Sequence, residues 1–228
     1  MAIDEPLAGG TGTWREQAVA RSLDGARARA ESRVQRFLDA ALELMNDSPT
    51  GKDFTVQEVV ERSGQSLRSF YQYFGGKHEL LLALFEESVR STADLVTERI
   101  ADGDPLERLH MFVVEYYRIC RPTRKGKAVR TPTVALAEFA QQLLTTQPAE
   151  AARAFAPLVS LFEEVLQEAV DAGVVRAAVQ QGRIAGIILE AVMFNAFSTT
   201  IGGASAESDR ADPAEELWDL ILHGIGSS

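Results

Sequence analysis

The side chains best equipped for chemistry crowd into residues 55–77, where Thr55, Ser66, Arg68, Tyr71, Gln72, Tyr73 and Lys77 all offer groups that nucleic acids can bind. Arg68 and Gln72 stand four residues apart, so on a helix they share one face and present the groups that match guanine and adenine edges. Tyr71 and Tyr73 carry hydroxyls that can reach backbone oxygens, and Lys77 is a point charge suited to phosphate. Thr55 and Ser66 sit where two helices should begin, and free N–H groups and the helix dipole there attract phosphate. One Arg–Gln pair alone would read equally well as the solvated face of a helical hairpin. The whole set at this spacing points to DNA.

Other chemistries fail on spacing. His78-Glu79 opens a zinc-protease pattern, but Leu82 stands where the second histidine must face the metal. His78, His110 and His223 have no ligand spacing, so no metal and no cofactor is expected. Cys120, the one cysteine, lies in an apolar helical stripe and reads as core rather than nucleophile. Gly10 and Gly12 precede Arg15 where a nucleotide-binding fingerprint needs glycine, and Asn46-Asp47-Ser48 is a glycosylation sequon by letters only. The chain is not expected to be an enzyme.

The elements that must hold residues 55–77 follow from apolar periodicity. Residues 1–26 read as a disordered or arm-like tail, and Val34, Phe37, Leu38, Ala41, Leu42 and Met45 mark one helical face from about Arg27 onward. Thr55 with Glu58 forms a capping box for a second helix, which Gly64 ends. Ser66 caps a short third helix, Leu67 to Phe74, closed by Gly75-Gly76. Three short helices before a long one suggest a helix-turn-helix, with the third free to enter a major groove. The long helix runs from Lys77 to Ile100, and another covers Leu106 to Cys120. Further helices span about Val134–Thr146, Ala149–Ala172, Gln180–Ile201 and Pro213–Gly224, and no stretch alternates long enough for a strand. The fold expected is all-α, with about nine helices: a DNA-binding unit over 27–76 and a larger unit over 77–228.

Phe54 to Leu81 resembles the tetracycline-repressor (TetR) family at Thr55, Gly64, Ser66, Ser69, Phe70-Tyr71, Tyr73-Phe74, Lys77 and Glu79-Leu80. The resemblance is specific over residues 34–85 and beyond that rests on helix count and length. It implies DNA contacts from Thr55, Gln65, Ser66, Leu67, Arg68, Ser69, Tyr71, Gln72, Tyr73 and Lys77. The chain departs from the family at Gln65, where valine is usual, at Val60 and Ser63, where alanines are common, and at Tyr73, a frequent histidine.

Composition limits the partners. There are 33 acidic against 23 basic residues, a net charge of −10, so any nucleic-acid contact must be local. Arg21, Arg27, Arg29, Arg33 and Arg36 cluster against Asp24 and Glu31, and read equally as an arm on phosphates or as a solvated helix start. Residues 121–133 hold five basic side chains and no acid, which reads as a solvated loop. The acidic start lacks a secretory signal and the longest apolar stretch, Ile184 to Phe197, is too short for a bilayer, so a cytoplasmic protein with no membrane partner is expected.

Helix 180–201 is apolar nearly all round and must bury two faces. With the last helix it would close a two-fold interface, as in the family this resembles, through Ile184, Ile188, Ala191, Leu217, Trp218 and Ile221. In that family the middle helices surround an effector pocket; here Phe112, Tyr116, Tyr117, Phe139, Phe162, Phe194 and Asn195 are its candidates. No Arg or Lys stands on those stripes, so a mostly apolar, uncharged small molecule is the expected effector. The reading is a homodimeric regulator of a roughly palindromic double-stranded operator, a repressor released by that effector. The alternative is a ligand-independent DNA-binding or partner-binding module that only dimerises.

Overall fold

The computed structural model describes residues 13–47, 54–121, 134–176, 181–201 and 212–225. All regular elements among them are helices: α1 (Trp14–Asp47), α2 (Val56–Ser63), α3 (Leu67–Tyr73), α4 (Lys77–Arg99), α5 (Pro105–Cys120), α6 (Val134–Thr146), α7 (Pro148–Asp171), α8 (Gln181–Ile201) and α9 (Pro213–Ile225). None is long and apolar enough to cross a membrane. The basic loop expected after Arg121 lies outside the described residues.

The N-terminal helix corrects one expectation. The chain is helical from Trp14, not from Arg27, so residues 14–26 are helix and not a disordered tail. The apolar stripe that seats Phe37 and Ala41 in the core continues backwards through Val34, Ala30, Ala26, Leu23 and Val19 at helical spacing, with no proline to stop it. Only the C-terminal half has anything to pack on: Phe37, Leu38, Ala41 and Met45 are buried, whereas Trp14 and Leu23 are 79% and 64% exposed.

Phe37 organises the first cluster. Its ring meets Phe70 of α3 edge-on at 5.4 Å and Phe74 at 6.1 Å. Val59 and Val60 are buried where α2 lies on α1, and Arg62 of α2 reaches back to Glu43 at 3.2 Å and Asp47 at 2.9 Å. These ion pairs are solvent-exposed and contribute little beside the apolar contact.

The second cluster surrounds α4 and α5. α4 packs on α1 at its start and on α5, α6 and α7 beyond, while α5 touches α7, α8 and α9. Asp104 caps α5 in a capping box with Glu107, and Pro105 follows at a position where no N–H is needed. Phe112 and Phe162 lie 4.7 Å apart, both fully buried, joining α5 to α7. The buried Glu115 carboxylate is held by Arg99 from the end of α4 and by Arg118 at 2.9 Å, and Arg118 reaches Asp212 before α9 at 2.8 Å. Arg118 holds the Asp212 carboxyl below its usual range, helped by the Ala214 N–H.

The two halves of α1 should separate in a denaturation experiment. Phe37→Ala is expected to cost about 3–5 kcal/mol by urea titration, because it leaves a cavity under α3. Leu23→Ala should stay within about 0.5 kcal/mol of the parent. Equal losses would mean that the outer half is packed after all.

Candidate nucleic-acid interface and a second cleft

Residues 54–80 build their own geometry. Thr55 is extended and its hydroxyl accepts from the Glu58 N–H at 3.2 Å, while Glu58 Oε2 takes the Thr55 N–H at 2.7 Å. Phe54 before the cap and Val59 after it are both buried, a hydrophobic staple that fixes how the chain enters α2. Gly64 then turns the chain with φ of 64°, a left-handed conformation that costs an ordinary residue about 1–2 kcal/mol. A Cβ there would meet nothing within 4 Å, so conformation and not space demands the glycine. Ser66 caps α3 by accepting from the Ser69 N–H at 3.1 Å. At Gly75 a Cβ would come within 2.7 Å of Glu79 Oε1, the far end of an exposed side chain that can move aside, and the Glu79 carboxylate accepts the Gly75 N–H at 2.7 Å through Oε2.

This frame turns Leu67, Arg68, Tyr71 and Gln72 of α3 to solvent, one turn apart, while Phe70 is fully buried. Ser66 is exposed at the helix start, and Gln65 and Tyr73 are half-buried at the edges. Arg68 has no carboxylate partner among the described residues, so its guanidinium is available to an incoming acceptor. No acid stands in the first turn of α3.

Three of the side chains expected to contact DNA are otherwise engaged or buried in this structure. The Thr55 hydroxyl is consumed by Glu58, donating to its carboxylate at 2.9 Å, and that carboxylate already fills the α2 N-terminus with negative charge. The Ser69 hydroxyl is buried, away from any phosphate. Lys77 points inward: its ammonium donates to the Phe54 carbonyl at 2.6 Å and lies 4.2 Å from the centre of the Phe54 ring. Burial lowers its pKa from the usual lysine value. Its role is to tie the start of α4 to the entry of α2, and no sequence pattern flags a carbonyl 23 residues away.

A helix-turn-helix in this frame, with a bare α3 face, matches a known profile. Residues 37–84 match that of the bacterial regulatory proteins of the tetR family. Over that helix-turn-helix the chain is similar to the DNA-binding domain of the tetR family. Solved structures share the fold over most of the chain. FadR from Bacillus subtilis, solved with stearoyl-CoA, is similar over 84% of this chain and 98% of its own, at 15% identity and a TM-score of 0.64. A TetR family transcription regulator from Marinobacter aquaeolei VT8 is similar over 89% and 100%, at 17% identity and 0.60. A gamma-butyrolactone receptor, ArpA-like, is similar over 88% and 90%, at 19% identity and 0.52. At such identities the likeness is one of fold. The chain matches no curated protein.

Behind the helix-turn-helix lies a cleft of about 420 Å³, walled by Tyr116 of α5, Leu144 of α6, Phe155, Val159 and Ser160 of α7, and Leu189, Glu190 and Met193 of α8. Tyr116, Phe155 and Met193 also border a deeper void of about 40 Å³ that reaches Cys120 and Phe85. Burial pushes the Cys120 thiol up to about 12, against which the Tyr116 hydroxyl is directed, and burial raises the Tyr116 phenol as well. Both groups are neutral donors and acceptors in the wall.

Of the seven effector candidates, only Tyr116 lines this cleft. Phe112 and Phe162 are spent on each other in the core, Tyr117 is buried, and Phe139 packs between His78 and Phe85. Phe194 and Asn195 lie on the outer side of α8, exposed. Phe155, Leu189 and Met193 carry the cleft instead, and nothing in the apolar spacing distinguishes them from core. The interface candidates shift likewise. Ile188, Leu217 and Trp218 are buried within the chain, Trp218 against His110, and Ile184 and Ile221 are half-buried. Among the described residues of α8 and α9, the exposed apolar side chains include Ile187, Ala191, Phe194 and Leu220, the last at 71%.

Two substitutions test the frame. Lys77→Ala should lower stability by about 1–2 kcal/mol by freeing the Phe54 carbonyl, and should leave the salt dependence of DNA binding nearly unchanged. Gly64→Ala should cost about 1 kcal/mol and Gly64→Asn less, because asparagine tolerates the left-handed region. A salt slope lowered by about one in Lys77→Ala would return Lys77 to a phosphate.

Proposed function

We propose that this tetR-family regulator acts as a homodimeric repressor, released from a roughly palindromic operator by a small, mostly apolar, uncharged molecule. The observation that carries the reading is the shared wall: α7 lines the cleft with Phe155 and Ser160 and also grips α4. Phe155 lies 5.1 Å from Phe85 of α4, and Glu150 Oε2 lies 2.9 Å from His78 in the first turn of α4. A molecule seated against α7 therefore bears on the helix that begins at the DNA-binding unit.

α4 has neither proline nor glycine between Lys77 and Arg99 and so moves as a rod of about 35 Å. Release requires the effector to bind the DNA-incompetent arrangement more tightly, and coupling of about 1–3 kcal/mol would give 5–150-fold. The cleft size falls within the range of small-molecule sites. No lysine or arginine lines it, which favours a neutral ester, lactone or similar apolar compound over a polyanionic thioester of the kind bound by the Bacillus subtilis neighbour.

In this reading α1 to α3 form the DNA-binding unit and the helices from α4 onward the effector and dimer unit. Ser66, Leu67, Arg68, Tyr71 and Gln72, flanked by Gln65 and Tyr73, face the DNA. Ile187, Ala191, Phe194 and Leu220 supply the apolar face for the second subunit, which two recognition helices need in order to reach half-sites about 34 Å apart or a multiple of it.

Selection of bound duplexes from a random pool should return inverted half-sites. Arg68→Ala should relax one position of each half-site and cost roughly 1–3 kcal/mol, while Phe194→Asp should yield a monomer with weak, half-site binding. Equal affinity of the parent for one half-site and for both would overturn the dimeric reading.

A library of neutral apolar compounds should contain one that releases the operator. Its affinity, measured with and without operator, must then differ by the same factor by which it weakens DNA binding. Tyr116→Phe and Ser160→Ala should weaken that compound without altering DNA affinity in its absence. Identical affinities in the two titrations would leave the ligand-independent module as the correct account.

A further inference from the structure

We infer that the outer half of α1 is a second DNA-binding element, which lays a row of arginines along the phosphates flanking the groove that α3 enters. The inference rests on the DNA-binding reading and extends it to a surface that the helix-turn-helix does not include. Arg15, Arg21, Arg29, Arg33 and Arg36 are all exposed or half-exposed. At 100° per residue they fall within an arc of about 120°, and between Arg15 and Arg36 no acid shares that arc. Glu16, Asp24 and Glu31 lie to its side, and Glu31 is taken by Arg27, which is off the row, at 2.7 Å. Among the described residues none of the five arginines has an ion-pair partner. Residues 14–36 hold six arginines against three acids, a local excess of +3 on a chain of −10.

Position supports the assignment. Arg36 immediately precedes Phe37, whose ring packs on Phe70 in the middle of α3, so the row begins beside the recognition helix. From there it runs about 32 Å to Arg15, close to one turn of duplex. Arg29, Arg33 and Arg36 surround an open hollow floored by Ala28 and Ser32, small residues that leave room for a phosphate among three guanidinium groups. A second copy of this helix would bring a like-charged row against the first. A polyanion is the complementary partner, and phosphate contacts of this kind carry no base preference.

The experiment compares full-length parent protein with a variant carrying Arg15→Gln, Arg21→Gln, Arg29→Gln, Arg33→Gln and Arg36→Gln, and with its all-lysine counterpart. The probe is the duplex selected by the parent, with flanks reaching a full turn beyond the α3 footprint. Neutralisation should reduce the slope of log K against log salt by about 0.9 for each phosphate that the row neutralises in the parent, and lower affinity at least tenfold at low salt, with the selected motif unchanged. The lysine variant should retain the slope, and trimming the flanks should weaken the parent but not the neutral variant. An unchanged slope in the neutral variant would overturn the proposal. So would an equal loss in both variants, which would make the arginines structural, or a change in sedimentation without a change in slope, which would assign the row to self-association. If the parent binds no duplex at all, the DNA-binding reading itself fails, which is a separate result.

Discussion

The structure depends on α4 serving two cores at once. Leu80 and Leu84 at its start close the cluster around α1, and Val89, Val96 and Ile100 at its end are buried against the later helices. Its ends are pinned by charge, with Lys77 on the Phe54 carbonyl and Arg99 on the buried Glu115 carboxylate. A helix fixed at both ends and free of proline and glycine transmits displacement rather than absorbing it. α4 is thus the element that packs both on α1 and on the later helices.

Helix α3 has no comparable independence. At seven residues α3 is far shorter than a helix that persists alone in water, so its order is borrowed from Phe70 and from the aromatic contact with Phe37. That division explains why its outward residues are free of structural duty. Arg68, Tyr71 and Gln72 can be chosen for what they touch, because the inward residue already holds the helix in place.

Charge is distributed on the same logic. An acidic chain repels a duplex over most of its surface, which suppresses indiscriminate coating. Among the described residues a row of exposed arginines lies on α1 and Arg68 stands exposed on α3, whereas Lys77, which follows α3 in sequence, is spent internally on packing. The large unit keeps a polar network, Arg99–Glu115–Arg118–Asp212, at the junction of α4, α5 and α9, away from the apolar cleft.

The amino-acid sequence by itself determined the all-α class, the bounds of α2 to α9 to within a residue or two, and the helix-turn-helix. Those depend on local signals: caps at Thr55, Ser66 and Asp104, the left-handed glycine at 64, and apolar spacing along each helix. Tertiary structure decided the rest. Helix α8 is apolar nearly all round, so spacing carries little phase, and packing on α5 and α7 buries Ile188 while leaving Ile187 and Phe194 outside. Aromatic type could not separate wall from core: Phe112 and Phe162 meet each other, whereas Phe155 fronts an open cleft. The directions of Lys77 and Ser69 were equally illegible, because a side chain's partner 23 residues away is fixed by how helices cross and not by what lies beside it in the chain. Local conformation is encoded within a few residues, and the choice of which face meets what belongs to the assembled fold.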